Sequence, residues 1–231
     1  MMRTLSVRGL LLLTAVCSTL TVASAQQRFS AGPRVGINMS TFTKDASDYS
    51  FRPGVTAGAF LMYSSLNHFG ISVDALYSQM GAKYSTTALD GNTPREVSFK
   101  QRINYLEVPV AFRYFLTKGG GFRPNVFFGP SMGFLLNAKT NERPAQGLIP
   151  AIPEIDLTDY FRKLDLGAMA GVQFNFPGFG ERQRFLVDAR YRYGLSDITV
   201  DNNANIHNST VTLTLGYGFG VGPEYRSRYR K

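Results

Sequence analysis

The sequence predicts an all-β protein, an eight-stranded antiparallel up-and-down transmembrane β-barrel, on three observations. Eight segments alternate with a period of two, one face apolar and the other small or polar. Wherever such a segment carries charge in its middle, the charge falls on the polar face. The connections alternate between short and long, as they do in barrels with tight periplasmic turns and longer outer loops.

The first predicted strand is Arg34–Phe42, with Val35, Ile37 and Met39 on one face and Gly36, Asn38 and Ser40 on the other. The polar stretch Thr43–Arg52 leads to Gly54–Tyr63, where Val55, Ala57, Ala59 and Leu61 alternate with Gly54, Thr56, Gly58 and Phe60. A short turn over Ser64–His68 precedes Phe69–Met80, with Ile71, Val73 and Tyr77 against Ser72, Asp74 and Ser78. Lys83–Lys100, which contains Asp90-Gly91-Asn92, reads as a polar outer loop. Gln101–Leu116 sets Leu106, Val108, Val110, Phe112 and Tyr114 against Tyr105, Glu107, Pro109, Ala111 and Arg113.

After the glycine-rich turn Thr117–Phe122, Arg123–Ala138 places Val126, Phe128, Met132 and Phe134 opposite Gly129, Ser131 and Gly133. Pro109 and Pro130 cannot donate to a ladder, so a bulge is expected at each. The longest connection is Lys139–Lys163, interrupted by prolines and carrying Glu142, Glu154, Asp156 and Asp159. Leu164–Phe176 and Phe185–Leu195 flank a Pro/Gly turn, and Asp197–Ser209 is a polar loop. Thr210–Val221, TVTLTLGYGFGV, closes the set with a purely apolar face against a face of Thr and Gly. Its length matches the roughly 9–11 residues that a tilted strand needs to cross a bilayer.

The N-terminus reads as an export signal over residues 1–25. Arg3 and Arg8 precede an apolar core, and Ala23-Ser24-Ala25 is a small-residue cleavage site. Cys17, the only cysteine, lies inside it, so no disulfide or thiol chemistry is expected in the barrel domain, 26–221. No later segment is apolar enough for a spanning helix. Export without such helices leaves a soluble exported domain or an outer-membrane barrel. The formal charge of +9 becomes +7 without the signal, and its Lys and Arg are scattered over turns, loops and a basic periplasmic tail, 222–231. That distribution suits rims facing anionic lipid and gives no basic helix for nucleic acid.

Asp74, Glu107, Arg113, Asp165, Asp188, Arg190 and Arg192 all sit in mid-strand on the polar face. An Arg or Lys facing lipid at mid-bilayer costs ~2–4 kcal/mol, so these side chains are expected in the lumen. A barrel of about eight strands is only wide enough for side chains to fill it, and acids and arginines should pair there. With no Trp in the chain, any interfacial girdle must be Tyr and Phe.

Tyr105-Leu106-Glu107-Val108-Pro109-Val110, Leu164-Asp165-Leu166-Gly167-Ala168, Arg192-Tyr193-Gly194-Leu195 and the final TLTLGYGFG resemble the small bacterial outer-membrane β-barrel family, often labelled porin-family, that includes PorT-like proteins. The resemblance spans the whole exported chain. It implies an eight-stranded barrel inserted by the outer-membrane assembly machinery and, for members nearest PorT, a part in protein secretion.

Catalytic chemistry is not indicated. His68 and His207 have no metal-ligand spacing, and Asp197, Asp201, His207 and Ser209 share one polar loop in which such residues meet by chance. No cofactor or metal is expected. The functional expectation is a non-enzymatic barrel with a filled or narrow lumen and a structural or loop-mediated binding role. A secretion component and a small-solute pore are the alternatives. The expected partners are outer-membrane lipid, the assembly machinery and an unidentified secretion or cell-surface protein.

Overall fold

The computed structural model describes residues 29–44, 49–65, 68–90, 93–118, 120–144, 154–180, 182–201 and 205–221. The expected signal peptide and basic tail lie outside them. The strands are β1 (Phe29–Lys44), β2 (Tyr49–Ser64), β3 (Phe69–Asp90), β4 (Thr93–Phe115), β5 (Arg123–Pro144), β6 (Ile155–Asp156), β7 (Leu164–Pro177), β8 (Gln183–Gly194) and β9 (Ile206–Val221), with one 3-10 turn at Thr158–Tyr160. All pairings are antiparallel. Eight strands form the ring β1-β2-β3-β4-β5-β7-β8-β9, which β9 closes on β1 by pairing Val221 with Phe29 and Leu215 with Val35. The two-residue β6 lies on β5 at Lys139 and Thr140.

The apolar faces point outward. Ile37, Leu215 and Phe128 are 60%, 61% and 66% exposed, in a band of large apolar side chains shared by all eight ring strands. A water-facing surface does not carry an apolar belt of that extent, whereas a lipid-facing one requires it. At the short-turn end, rings meet between neighbours: Phe29 with Tyr63, Phe69 with Tyr114, Phe122 with Phe176, and Phe185 with Tyr217, at centroid distances of 5.1, 5.5, 5.2 and 4.8 Å. This is a girdle of Phe and Tyr, whose rings favour the headgroup level.

Several expectations are corrected. Pro109 and Pro130 create no bulges. The β3–β4 pairing passes from Val73–Val110 to Leu76–Glu107, and the β4–β5 pairing from Pro109–Ser131 to Phe112–Phe128, with register kept across both gaps. A missing N–H therefore opens the ladder locally without shifting it. The register shifts fall elsewhere, between Phe51 and Thr56 on β2 and between Asn104 and Tyr105 on β4.

The polar stretches after the first and third predicted strands are mostly strand. β3 and β4 continue their pairing to Asp90–Thr93, and β1 and β2 reach Lys44 and Tyr49. The outer end is thus raised by extended hairpins more than by loops. Sequence alternation of the membrane type stops where the lipid stops, but hydrogen bonding between strands does not. The connection after β5 contains β6 and the 3-10 turn, and β9 begins at Ile206, inside the expected loop Asp197–Ser209.

Candidate functional site

The inward side chains of β4 give a ruler along the barrel: Phe115, Arg113, Ala111, Pro109, Glu107, Tyr105 and Ile103, from the short-turn end outward. Each is buried. At the first level Phe115 meets Phe60, Met62 and Leu186 in an apolar plug. At the last, Ile103 and Tyr105 join Phe42, Met80, Ala82, Ala138, Phe161 and Ile198 in an apolar cap.

Between plug and cap lie eight buried charges among the described residues. Arg34, Arg113, Arg190 and Arg192 face Asp74, Glu107, Asp165 and Asp188, so the formal charges cancel. All seven charged residues expected in the lumen are buried there. The sequence reading missed Arg34, which is 1% exposed. It was legible: Arg34 shares the parity of Gly36, Asn38 and Ser40, but it stands at the start of the predicted strand, where a charge is easily taken as belonging to the rim.

Four members form a closed ring of ion pairs. Arg34 lies 3.1 Å from Asp74 and 3.2 Å from Asp188. Arg190 lies 3.1 Å from Asp74 and 2.8 Å from Asp188. These contacts tie β1, β3 and β8 together across the barrel. Nearer the cap, Arg192 on β8 lies 3.1 Å from Asp165 of β7 and 3.6 Å from Glu107 of β4. Glu107 also accepts hydrogen bonds from Ser78 and Ser131, both at 2.9 Å. Asn208 donates to Asp165 at 2.7 Å.

Arg113 is handled differently. Its guanidinium donates to Ser72 at 2.8 Å, to Asn125 at 3.0 Å and to Gln173 at 2.5 Å, and it lies 4.6 Å from the Phe127 ring centroid. The lumen therefore divides the charge unevenly: two acids share Arg192 above, and one arginine is held by neutral oxygens and a ring below. Such pairing offsets most of the cost of burying the charges, while Arg34 Nε, Asp74 Oδ1 and Arg192 Nη1 have no hydrogen-bond partner among the described residues. Room for the large groups comes from glycine. A Cβ on Gly171 would come within 2.6 Å of the Phe127 ring and 2.4 Å of the Ala189 carbonyl oxygen.

In the polar outer loop, His207, Ser209 and Asp197 each make separate contacts. His207 is buried, its Nδ1 2.8 Å from the Gly194 carbonyl oxygen and its Nε2 2.6 Å from Asn205 Oδ1. Ser209 pairs with the Tyr191 hydroxyl at 2.9 Å. Asp197 accepts from the Thr199 and Ile206 backbone N–H groups, both at 3.1 Å, and from the Thr199 hydroxyl at 2.9 Å. Partial burial pushes the Asp197 carboxyl up, but these hydrogen bonds and the nearby Arg162 outweigh it and hold the carboxyl below its usual range. Glu154, an acid of the long connection, is engaged by Arg102 at 2.5 Å and Lys139 at 3.2 Å. Among the described residues, no group of three or more His, Asp, Glu or Cys side chains is placed to hold a metal ion.

The sequence model described as "Outer membrane protein beta-barrel domain" matches residues 24–200. The chain belongs to that family. As a member of it, the protein is an outer-membrane β-barrel in contact with lipid. No curated protein matches the chain. Among solved structures, it is similar to Ail, the attachment invasion locus protein of Yersinia pestis, solved with the heparin analogue sucrose octasulfate: 16% identity, 83% of this chain and 99% of that one, TM-score 0.42. It is similar to Neisserial surface protein A at 12% identity, covering 84% and 97%, TM-score 0.43. It is also similar to the outer-membrane protease OmpT of Escherichia coli at 9% identity, covering 88% and 100%, TM-score 0.38.

Proposed function

We propose that this family member is a non-enzymatic barrel with a closed lumen, which acts through the surface its outer end presents, in a structural or loop-mediated binding role. One observation carries the reading: side chains occupy the lumen at every level, from the Phe60–Phe115 plug through the charge network to the Ile103–Ile198 cap. A permeant solute would have to displace ion-paired arginines and two apolar layers. The engagement of both His207 nitrogens by Gly194 and Asn205 supports the non-enzymatic part.

The outer surface is where the chain has invested its extra length. β2 stays paired with β3 only as far as Tyr49–Tyr84, while β3 and β4 continue together to Asp90 and Thr93. At about 3.3 Å per residue, that hairpin stands well clear of the headgroups. Insertion would rest on the barrel assembly machinery, and the hairpin is the surface offered to a cell-surface or secretion partner.

The test is electrical. The refolded barrel in planar bilayers should give no current above the protein-free baseline. Steady single-channel steps would overturn the closed-lumen reading in favour of a small-solute pore. Replacing residues 86–97 by an Asn-Gly turn should leave heat-modifiable gel mobility intact and abolish partner capture. Capture of secretion proteins by the wild-type barrel would place it with the PorT-like components instead.

A further inference from the structure

We propose that the periplasmic mouth of the barrel is a binding site for a phosphate group. Below the apolar plug, the short-turn end opens into a cavity of about 270 Å³. Lys118, Arg123, Arg182 and Arg184 line it, and no carboxylate does among the described residues. Ser30, Ser64, Ser65 and Asn175 add neutral polar groups to the wall.

This composition departs from the rest of the interior. In the lumen every acid is ion-paired with an arginine, and Arg113, the arginine without an acid, is ringed by amide and hydroxyl oxygens. At the mouth, Lys118, Arg123 and Arg184 gather around one concavity. Like charges gathered this way repel, and an anion between them removes the repulsion and gains charge-assisted hydrogen bonds.

Two of the cations are fixed before any ligand arrives. The Arg184 guanidinium donates to the carbonyl oxygens of Gly121 at 2.9 Å and Gly120 at 3.4 Å. Arg123 lies over the Phe115 ring, 4.5 Å from its centroid, and its Nε is buried with no hydrogen-bond partner among the described residues. A planar guanidinium held in place suits the tetrahedral oxygens of a phosphate. Met62 and Leu186 belong both to the cavity wall and to the plug, so an anion entering here stops at an apolar floor. That floor also limits screening by water and strengthens the attraction.

The phosphate has two sources. The mouth lies at the level of the aromatic girdle, where the headgroups of the inner leaflet sit, and it also faces the free anions of the periplasm. Titration calorimetry on the full exported chain, folded in neutral maltoside micelles, separates them with inorganic phosphate in one arm and dihexanoyl phosphatidic acid in the other. Saturable heat from both probes identifies a site for free phosphate. Saturation by the lipid alone identifies a headgroup site. In either case Arg123→Gln with Arg184→Gln should weaken binding about ten-fold or more, the scale of losing charged hydrogen bonds. Lys118→Gln, on an exposed turn remote from the folding core, should weaken it by a smaller factor and serves if the double variant does not fold. No saturation by either probe up to ~10 mM, or binding unchanged in variants that retain heat-modifiable mobility, overturns the proposal.

Discussion

Two stretches of the same strands use opposite chemistry. In the membrane-spanning part of β4, Arg113 and Glu107 point inward while Phe112 and Leu106 point to lipid. A few residues further out, Tyr105 and Ile103 point inward, each 0% exposed, and Arg102 stands on the outside. β3 makes the same exchange, from Asp74 inside and Val73 outside to Met80 inside and Gln79 outside. The inward parity carries through while its polarity reverses, although a register shift on β4 also buries Asn104 between the two parts. The surrounding solvent explains the reversal. Within the bilayer the outer face is apolar by necessity, leaving the lumen to the polar groups. Above it, the outer face meets water and the lumen becomes an ordinary hydrophobic core.

If the two regions are held by different forces, substitutions should separate them. The largest effect belongs to the charge ring. Arg190→Ala leaves Asp74 and Asp188 with Arg34 alone and should cost about 3–5 kcal/mol, read from urea unfolding in detergent by gel mobility. A loss under about 1 kcal/mol would mean that the network is solvated and the comparison false.

In the cap, Ile198→Ala should cost about 2–3 kcal/mol, the lower half of the range for such truncations, because the connection carrying Ile198 can settle into the space. The damage should stay local: faster proteolysis of the segment 154–163, with heat-modifiable mobility unchanged. Equal loosening of the spanning strands would merge the two regions into one cooperative unit.

Smaller effects sharpen the boundary. Glu154→Gln removes a partly exposed pairing with Arg102 and Lys139 and should cost less than about 1 kcal/mol, falling further as salt is added. The Arg190 effect should be nearly independent of salt. Asp197 gives the smallest signal. Its carboxyl is held low in the folded state, so its contribution is complete above the ordinary carboxylate pKa of about 3.9 and is lost as pH falls through the lower, folded value. Hydrogen exchange at the Thr199 and Ile206 amides, which Asp197 accepts from, should accelerate on acidification in that window and not in Asp197→Asn.

The spanning strands were readable because lipid imposes a rule that each residue obeys alone. Val211, Leu213 and Leu215 must be apolar whatever lies beside them, and Asp188, Arg190 and Arg192 must take the other face. The outer extensions were harder. Lys83–Lys100 reads as loop because its outward residues turn polar, although Met80, Ala82 and Ile103 continue the inward parity and signalled a second core.

The sequence by itself determined the two-faced strands, the number closing the ring, the direction of the charges and the absence of Trp from the girdle, because a local periodicity against a fixed solvent settles each of these. Tertiary structure alone decided which charges meet. Arg34 is 40 residues from Asp74 and 154 from Asp188, and only closure of β9 on β1 brings β1 and β8 within reach of each other across the lumen. It also decided that Phe161 and Ile198, from two different connections, share one cap, and that four cations from two turns and two strand ends face a single cavity. Such meetings depend on register and curvature around the whole ring, which no single segment encodes.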